Sequence, residues 1–133
     1  MKYMLDTNIC IYLIKNKPVE VLKNFQKIHI SDVAISAITL SELEYGVEKS
    51  SNREKNKLAL LEFTTPFTIC AYTEEAAVEY GILRTTLERN GKCIGAMDML
   101  IAAHALSLGL TLVSNNLREF KRIPGLKLDN WVK

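Results

Sequence analysis

Residues 2–8, KYMLDTN, set a short apolar run directly against three polar residues. The run KYML is β-prone and predicts a buried first strand over residues 2–5. Asp6, Thr7 and Asn8 carry side-chain oxygens that cap helix N-termini, so we expect a helix to begin at the following segment, ICIYLIK. This stretch therefore predicts a strand-to-helix junction with a carboxylate at the carboxyl end of the strand.

The rest of the chain alternates short apolar segments with helical patterns. Tyr80, Leu83 and Leu87, for example, continue one apolar stripe from Ala76 at helical spacing. Short strands that alternate with helices imply parallel pairing, with both faces of the sheet covered, and hence an α/β fold. The further predicted strands are VAIS (33–36), FTIC (67–70), LTLVS (110–114) and LKLDNW (126–131), and the further predicted helices cover about 18–28, 37–49, 51–63, 73–89 and 96–108.

Composition excludes several classes of protein. A chain of 133 residues fits one compact domain, and a net charge of +2 does not by itself demand a nucleic-acid partner. The three cysteines form no CxxC pair, which argues for a reducing compartment and against a zinc site. The longest apolar run, around residues 99–113, is too short to span a bilayer, and no signal-peptide core is present. We therefore expect a cytoplasmic protein without membrane contact.

The C-terminal tail, residues 115–133, is modestly basic. It is either a solvated face or a phosphate-binding surface, and the sequence leaves both open. Lys92 and Arg84 are further candidates for phosphate contacts. Five basic residues stand against Glu119 and Asp129 in this tail: Arg118, Lys121, Arg122, Lys127 and Lys133.

Asp98 is the least expected carboxylate in the chain. It lies on the same predicted helix face as the apolar residues Ile101, Ala102 and Ala105. A buried carboxylate without a partner is costly, so a cation, a lysine, the helix N-terminal dipole or first-turn backbone amides must compensate it. Asp6 presents the same choice, and its two oxygens allow one to cap a helix while the other binds a cation.

A third acid lies in ITLSELEYGV, residues 38–47. Periodicity does not decide whether Glu42 or Glu44 points inward. Three acids on separate elements would suit a hard divalent cation such as Mg²⁺ or Mn²⁺. Such an ion makes a nucleophile from water and stabilises charge on a phosphodiester.

Four motifs in order resemble those of a PIN domain, and more narrowly those of the VapC-type ribonuclease toxins. They are MLDTN (4–8), SEL (41–43) with Gly46, DMLIAA (98–103), and VSNN (113–116) with REF (118–120). The resemblance covers nearly the whole chain and implies a single PIN domain over residues 1–133. It also implies a three-layer α/β fold with a five-stranded parallel sheet, order 3-2-1-4-5, flanked by helices.

The resemblance assigns roles to individual residues. It selects Glu42 over Glu44, and it matches Asp6, Glu42 and Asp98 to the metal-binding acids of the family. Many PIN domains have a fourth acid where this chain has Asn116, so the resemblance suggests Glu119 as a catalytic substitute and leaves the number of metals open. The supporting polar positions implied by the motifs are Thr7, Asn8, Ser114, Asn115 and Asn116.

The resemblance also implies a function. Members of this family are Mg²⁺- or Mn²⁺-dependent endoribonucleases, and cleavage of their RNA targets inhibits translation. The substrate that we expect first is tRNA, and among tRNAs the initiator tRNA, cut in its anticodon loop. The resemblance implies a homodimer neutralised by a VapB-type antitoxin, which alone contacts operator DNA. The alternative is a catalytically inactive PIN scaffold that binds RNA or protein, for which Asn116 is the only support.

Two other α/β classes fit poorly, because receiver-like and HAD-type domains need further acids beside the first one, where this chain has Thr7 and Asn8.

Three side chains outside the motifs also carry expectations. His104 is expected to be a packed helix residue rather than a ligand, and Trp131 to anchor the C-terminus. Tyr45 is open between a place beside the groove, a core role and a dimer contact.

Overall fold

A parallel sheet of five strands in the order β3-β2-β1-β4-β5 forms the centre of the fold, as predicted. The structure is a computed structural model that describes residues 1–132; Lys133, counted above in the basic tail, lies outside the described residues. The strands are β1 (Tyr3–Leu5), β2 (Val33–Ser36), β3 (Thr68–Cys70), β4 (Thr111–Val113) and β5 (Leu128–Asp129).

Helices cover both faces of this sheet. The second predicted helix is shorter than expected: it begins after Pro18, which is its N-cap, and ends at Gln26 rather than near Ile28. A four-residue helix after Asn116 was not predicted. The helices are α1 (Thr7–Lys15), α2 (Val19–Gln26), α3 (Ala37–Glu48), α4 (Arg53–Thr64), α5 (Glu74–Arg89), α6 (Ala96–Leu108) and α7 (Leu117–Phe120).

The central strand β1 divides the core into two layers. Met4 and Leu5 are both fully buried, yet Met4 packs into the cluster under α5 and α6, and Leu5 packs into the cluster under α1 and α3. Successive residues of a strand point to opposite faces, so burial of both means that the sheet is covered on each side. This confirms the three-layer arrangement.

Local sequence accounts for the ends of the elements. α6 ends at Gly109, whose φ of 67° lies in the left-handed region that glycine tolerates best. Trp131 is 3% exposed and packs edge-on against Tyr3 at 5.8 Å between ring centroids, which confirms that it anchors the C-terminal segment. Over residues 1–132, none of the helices combines the length and apolarity needed to cross a membrane.

Candidate active site

The candidate site lies at the carboxyl edge of the sheet, where β1 and β4 end side by side. Leu5 pairs with Val113, so the next residues, Asp6 and Ser114, are neighbours. The Asp6 amide donates to the Val113 carbonyl at 3.0 Å, and the Asp6 carboxylate accepts from the Ile9 amide at 2.9 Å. Asp6 therefore caps α1, as predicted, while a second hydrogen bond joins its side chain to Ser114.

Glu42 and Glu44 lie in different surroundings. The Thr7 hydroxyl donates to Glu42 Oε1 at 2.6 Å, which ties α3 to the first turn of α1. Glu44 instead accepts from Lys57 at 2.6 Å in an ion pair whose carboxylate side chain is 40% exposed. The structure thus brings Glu42, and not Glu44, to the carboxyl edge, although a metal-binding role for Glu42 remains a prediction.

Asp98 lies in the first turn of α6 and is half-buried. Burial raises the pKa of its carboxyl group, and the nearby charges of Glu119 and Glu42 raise it further. Throughout residues 1–132, no hydrogen bond is donated to the Asp98 carboxylate, and the N-cap of α6 is Gly95, without a side chain. Within residues 1–132 neither a first-turn amide nor a lysine bonds this acid, so the helix N-terminal dipole and a cation remain as the alternatives.

The acids act on one another as a single charge cluster. Burial raises the pKa of Asp6 from 3.8 to about 6; hydrogen bonds from Ser114 and Ile9 lower it, and the charges of Asp98 and Glu42 raise it. Glu119 joins the cluster through its effect on Asp98. Neighbouring carboxylates thus make the ionised forms of Asp6 and Asp98 less favourable, and a cation among them would relieve that repulsion.

This donor set fits a hard divalent cation. Its oxygens come from carboxylates, and hydroxyl groups of Thr7 and Ser114 orient two of them. Within the described part of the chain, however, no three acidic, histidine or cysteine side chains are close enough together to hold an ion as they stand. Like-charged carboxylates repel, so a bound ion would have to draw them inward.

The remaining predicted polar residues surround this cluster to different extents. Asn115 donates to the Tyr12 hydroxyl at 3.0 Å, a contact to α1 that the sequence analysis did not anticipate. The Asn116 amide donates to the Ser114 hydroxyl at 2.9 Å, which helps to hold Ser114. Asn8 is exposed, and its side chain joins none of the contacts described within residues 1–132. Only Ser114 of this group bonds directly to an acid of the cluster.

A pocket of about 300 Å³ opens beside Glu42. Most of the residues that line it are aliphatic, and Lys15 and Asn56 are its polar residues besides Glu42. The pocket lies between α1, α3 and α4, and one of its lining residues, Glu42, belongs to the acid cluster. The lining residues are Ile11, Ile14, Lys15, Glu42, Leu43, Gly46, Val47, Asn56 and Leu60.

The candidate phosphate-binding cations differ in whether other residues already bind their side chains. Arg118 is exposed, whereas Arg122 donates to the Cys93 carbonyl at 2.9 Å and thereby joins α7 to the segment before α6. Arg84 is bound to the Tyr80 hydroxyl and to Glu88 on its own helix. These last two are already occupied, which makes Arg118 a better candidate for RNA contact.

Tyr45 is 66% exposed, which excludes the core role.

The comparisons with known proteins agree with this geometry. The PIN domain family model matches residues 3–126. Ribonuclease VapC2 of Haemophilus influenzae is 47% identical over 99% of this chain and 99% of its own length. The tRNA(fMet)-specific endonuclease VapC of Salmonella typhimurium is 45% identical over 98% of both chains.

A solved structure extends the likeness to the fold. DNA-bound VapBC from Salmonella typhimurium contains a chain that matches this one with a TM-score of 0.93 and 45% identity, over 98% of each chain. The matched segments extend over all four motifs that carried the resemblance. The chain belongs to the PIN domain family and, within it, to the VapC ribonucleases.

Proposed function

We propose that this protein is the toxin of a type II toxin–antitoxin pair and acts as a Mg²⁺- or Mn²⁺-dependent endoribonuclease. The observation that carries the proposal is the cluster of Asp6, Glu42 and Asp98, delivered by β1, α3 and α6 to one edge of the sheet. Carboxylates whose pKa is raised by burial and by neighbouring acids, as for Asp6 and Asp98, are typical of sites that receive a cation.

The residues divide the work as follows. Asp6, Glu42 and Asp98 would hold the cation, and Glu119 is the proposed fourth acid in place of an acid at Asn116. When bound, the cation supplies an activated water and offsets negative charge on the phosphodiester. Thr7 holds the carboxylate of Glu42 in place by its 2.6 Å hydrogen bond. Ser114 performs the same function for Asp6.

The proposed substrate is tRNA, with initiator tRNA first. Its support is the relative from Salmonella typhimurium, whose name gives tRNA(fMet) as its target and which is 45% identical. Exposed cations near the carboxyl edge would meet the phosphate backbone, and their contribution would weaken as salt rises. Arg118, which is exposed and precedes Glu119, is the first of these.

The proposed partner is a VapB-type antitoxin, supported by the likeness to VapBC complexes. The aliphatic pocket beside Glu42 would take an apolar side chain of the antitoxin, whose segment would then cover the acids. Operator DNA would be contacted through the antitoxin alone. A homodimer, a cytoplasmic location and a single PIN domain over residues 1–133 complete the proposal.

Cleavage of total bacterial RNA by the purified protein tests the function. The parent and Asp98→Asn are compared in Mg²⁺, in Mn²⁺ and in EDTA, and the product ends are mapped. We expect one discrete tRNA product with 5′-phosphate and 3′-hydroxyl ends, absent in EDTA and with the variant. If folded, antitoxin-free parent protein cuts no RNA in either metal, the inactive binding scaffold replaces the nuclease as the better description.

A further inference from the structure

A buried hydrogen bond joins the two helices that carry Glu42 and Asp98. Nδ1 of His104, on α6, lies 2.7 Å from the hydroxyl of Ser36, the N-cap of α3. Both residues are 0% exposed, and they are separated by 68 positions in the chain. The bond therefore fixes one helix relative to the other from inside the protein.

The hydrogen bonds around Ser36 identify the donor and the acceptor in this contact. The Ser36 hydroxyl oxygen accepts from the Ile38 amide at 3.0 Å, so its own hydrogen is available for Nδ1 of His104. Burial lowers the pKa of His104, which keeps the ring neutral near neutral pH. The ring nitrogen Nε2 makes no well-formed hydrogen bond within residues 1–132, and the Ala71 carbonyl is the backbone acceptor that acts on it.

The contact and the acids occupy matching places on the two helices. Glu42 follows Ser36 by six residues on α3, and Asp98 precedes His104 by six on α6, each about 9 Å of helix. α3 packs against α6, and the charge of Glu42 reaches Asp98. The two helices are thus joined at one end by the Ser36–His104 hydrogen bond. At the other end they bring Glu42 and Asp98 near each other.

We propose that the Ser36–His104 hydrogen bond positions Glu42 relative to Asp98 for binding a divalent cation, which makes His104 and Ser36 positioning residues of this site. The inference rests on the proposed function for its consequence in catalysis. Sites of this kind tolerate displacements of only about 0.5 Å, so a change in the packing of α3 on α6 should reach the acids.

A purely structural role would predict something else. Replacing both partners of a buried hydrogen bond by apolar groups of similar shape is nearly neutral for stability, whereas replacing one partner lowers stability and leaves the rest of the protein unchanged if the pair has no other role. His104→Phe keeps the ring and its edge-on contact with Tyr72, at 5.3 Å between centroids, but removes both ring nitrogens. If the pair only fills the core, this variant should bind metal and cut RNA like the parent.

The test uses the full-length protein free of antitoxin. His104→Phe, Ser36→Ala and the double variant are compared with the parent, and Ser107→Ala serves as a control, since its hydroxyl bonds only the His104 carbonyl, at 2.8 Å. Thermal unfolding reports folding, calorimetric titration with MnCl₂ reports metal affinity without RNA, and kcat and KM are measured on the cleaved tRNA.

We expect folded His104→Phe to need about fivefold more Mn²⁺ for half-saturation and to lose about tenfold in kcat with KM unchanged. The double variant should lose no more than Ser36→Ala alone, because Ser36→Ala already removes the bond to His104 together with the cap of α3. His104→Asn, which keeps an acceptor near the position of Nδ1, should recover part of the Mn²⁺ affinity.

Mn²⁺ affinity of His104→Phe within twofold of the parent, or losses that add in the double variant, would overturn the inference whatever the parent does to RNA. A parent that binds Mn²⁺ but does not cut RNA would remove the proposed function and leave the positioning role to be judged by the titration. A parent that binds no Mn²⁺ overturns both.

Discussion

Replacing Asp6 by asparagine should stabilise the protein in the absence of divalent cations. The pKa of Asp6 rises from 3.8 to about 6 on folding, roughly two units, so its ionised form costs the fold about 3 kcal/mol at most. Asparagine removes the charge and keeps an oxygen for the Ile9 amide, which aspartate and asparagine cap equally well. Since the hydrogen bond from Ser114 to a charged acceptor is weakened, we expect a net gain of about 2 kcal/mol.

The effect has a definite pH dependence. Because the folded state holds its Asp6 proton to higher pH than the unfolded state, this group lowers the free energy of unfolding as pH rises between about 4 and 6. The gain from Asp6→Asn should therefore be full near pH 7.5 and vanish near pH 4. With Mg²⁺ added, the parent should become more stable than Asp6→Asn, since a ligand at 100 times its Kd stabilises the protein that binds it by about 2.7 kcal/mol.

Urea unfolding in EDTA, followed by the fluorescence of the single tryptophan, Trp131, measures these differences. Glu44→Gln is the control, because this partly exposed acid pairs with Lys57 alone within residues 1–132 and should change stability by about 0.5 kcal/mol or less. A variant less stable than the parent near pH 7.5 in EDTA, with a difference that does not change with pH, would refute the argument for a charge penalty at Asp6.

Four further substitutions test the site through RNA cleavage. Asp98→Asn should lower kcat/KM by about a hundredfold or more while the protein still folds, and unfolding curves with unchanged slope would check the fold. Glu42→Gln should reduce cleavage to a similar extent and Glu44→Gln should not; equal losses would contradict the assignment. Thr7→Val should cost about tenfold in kcat/KM, since it removes a hydrogen bond to a charged acceptor. Glu119→Gln should raise the Mg²⁺ concentration needed for half-maximal rate, and an unchanged metal dependence would exclude it as the fourth acid.

The strand ends of this fold were predictable because parallel sheets place them at one edge. Asp6 and Ser114 lie at the carboxyl ends of two predicted strands, and the carboxyl ends of parallel strands meet at one edge of a sheet. The choice between Glu42 and Glu44 was not available from periodicity. It depends on two distant side chains, Thr7 and Lys57, which bind the two carboxylates on different sides of α3.

Other features depended on tertiary contacts that no local pattern encodes. Ser36 was read only as the last residue of a strand, yet it also caps α3 and meets His104 across the core. The expectation that His104 is packed is confirmed, but the sequence did not predict its hydrogen bond to Ser36, 68 residues away. The short helix α7, which carries Glu119, is too brief for a periodic signal.

The order of the sheet also determines when the protein can first act during its own synthesis. β1 is made first but lies at the centre of the sheet, and its partner β4, residues 111–113, is among the last segments translated. Asp6 gains Ser114, and Asp98 gains the neighbourhood of Glu119, only after that point. Domains fold as units as they leave the ribosome, so a nascent chain that lacks its final strands also lacks the assembled acid cluster. An unfinished copy of the proposed nuclease would therefore lack the arrangement of acids that the proposed cation needs.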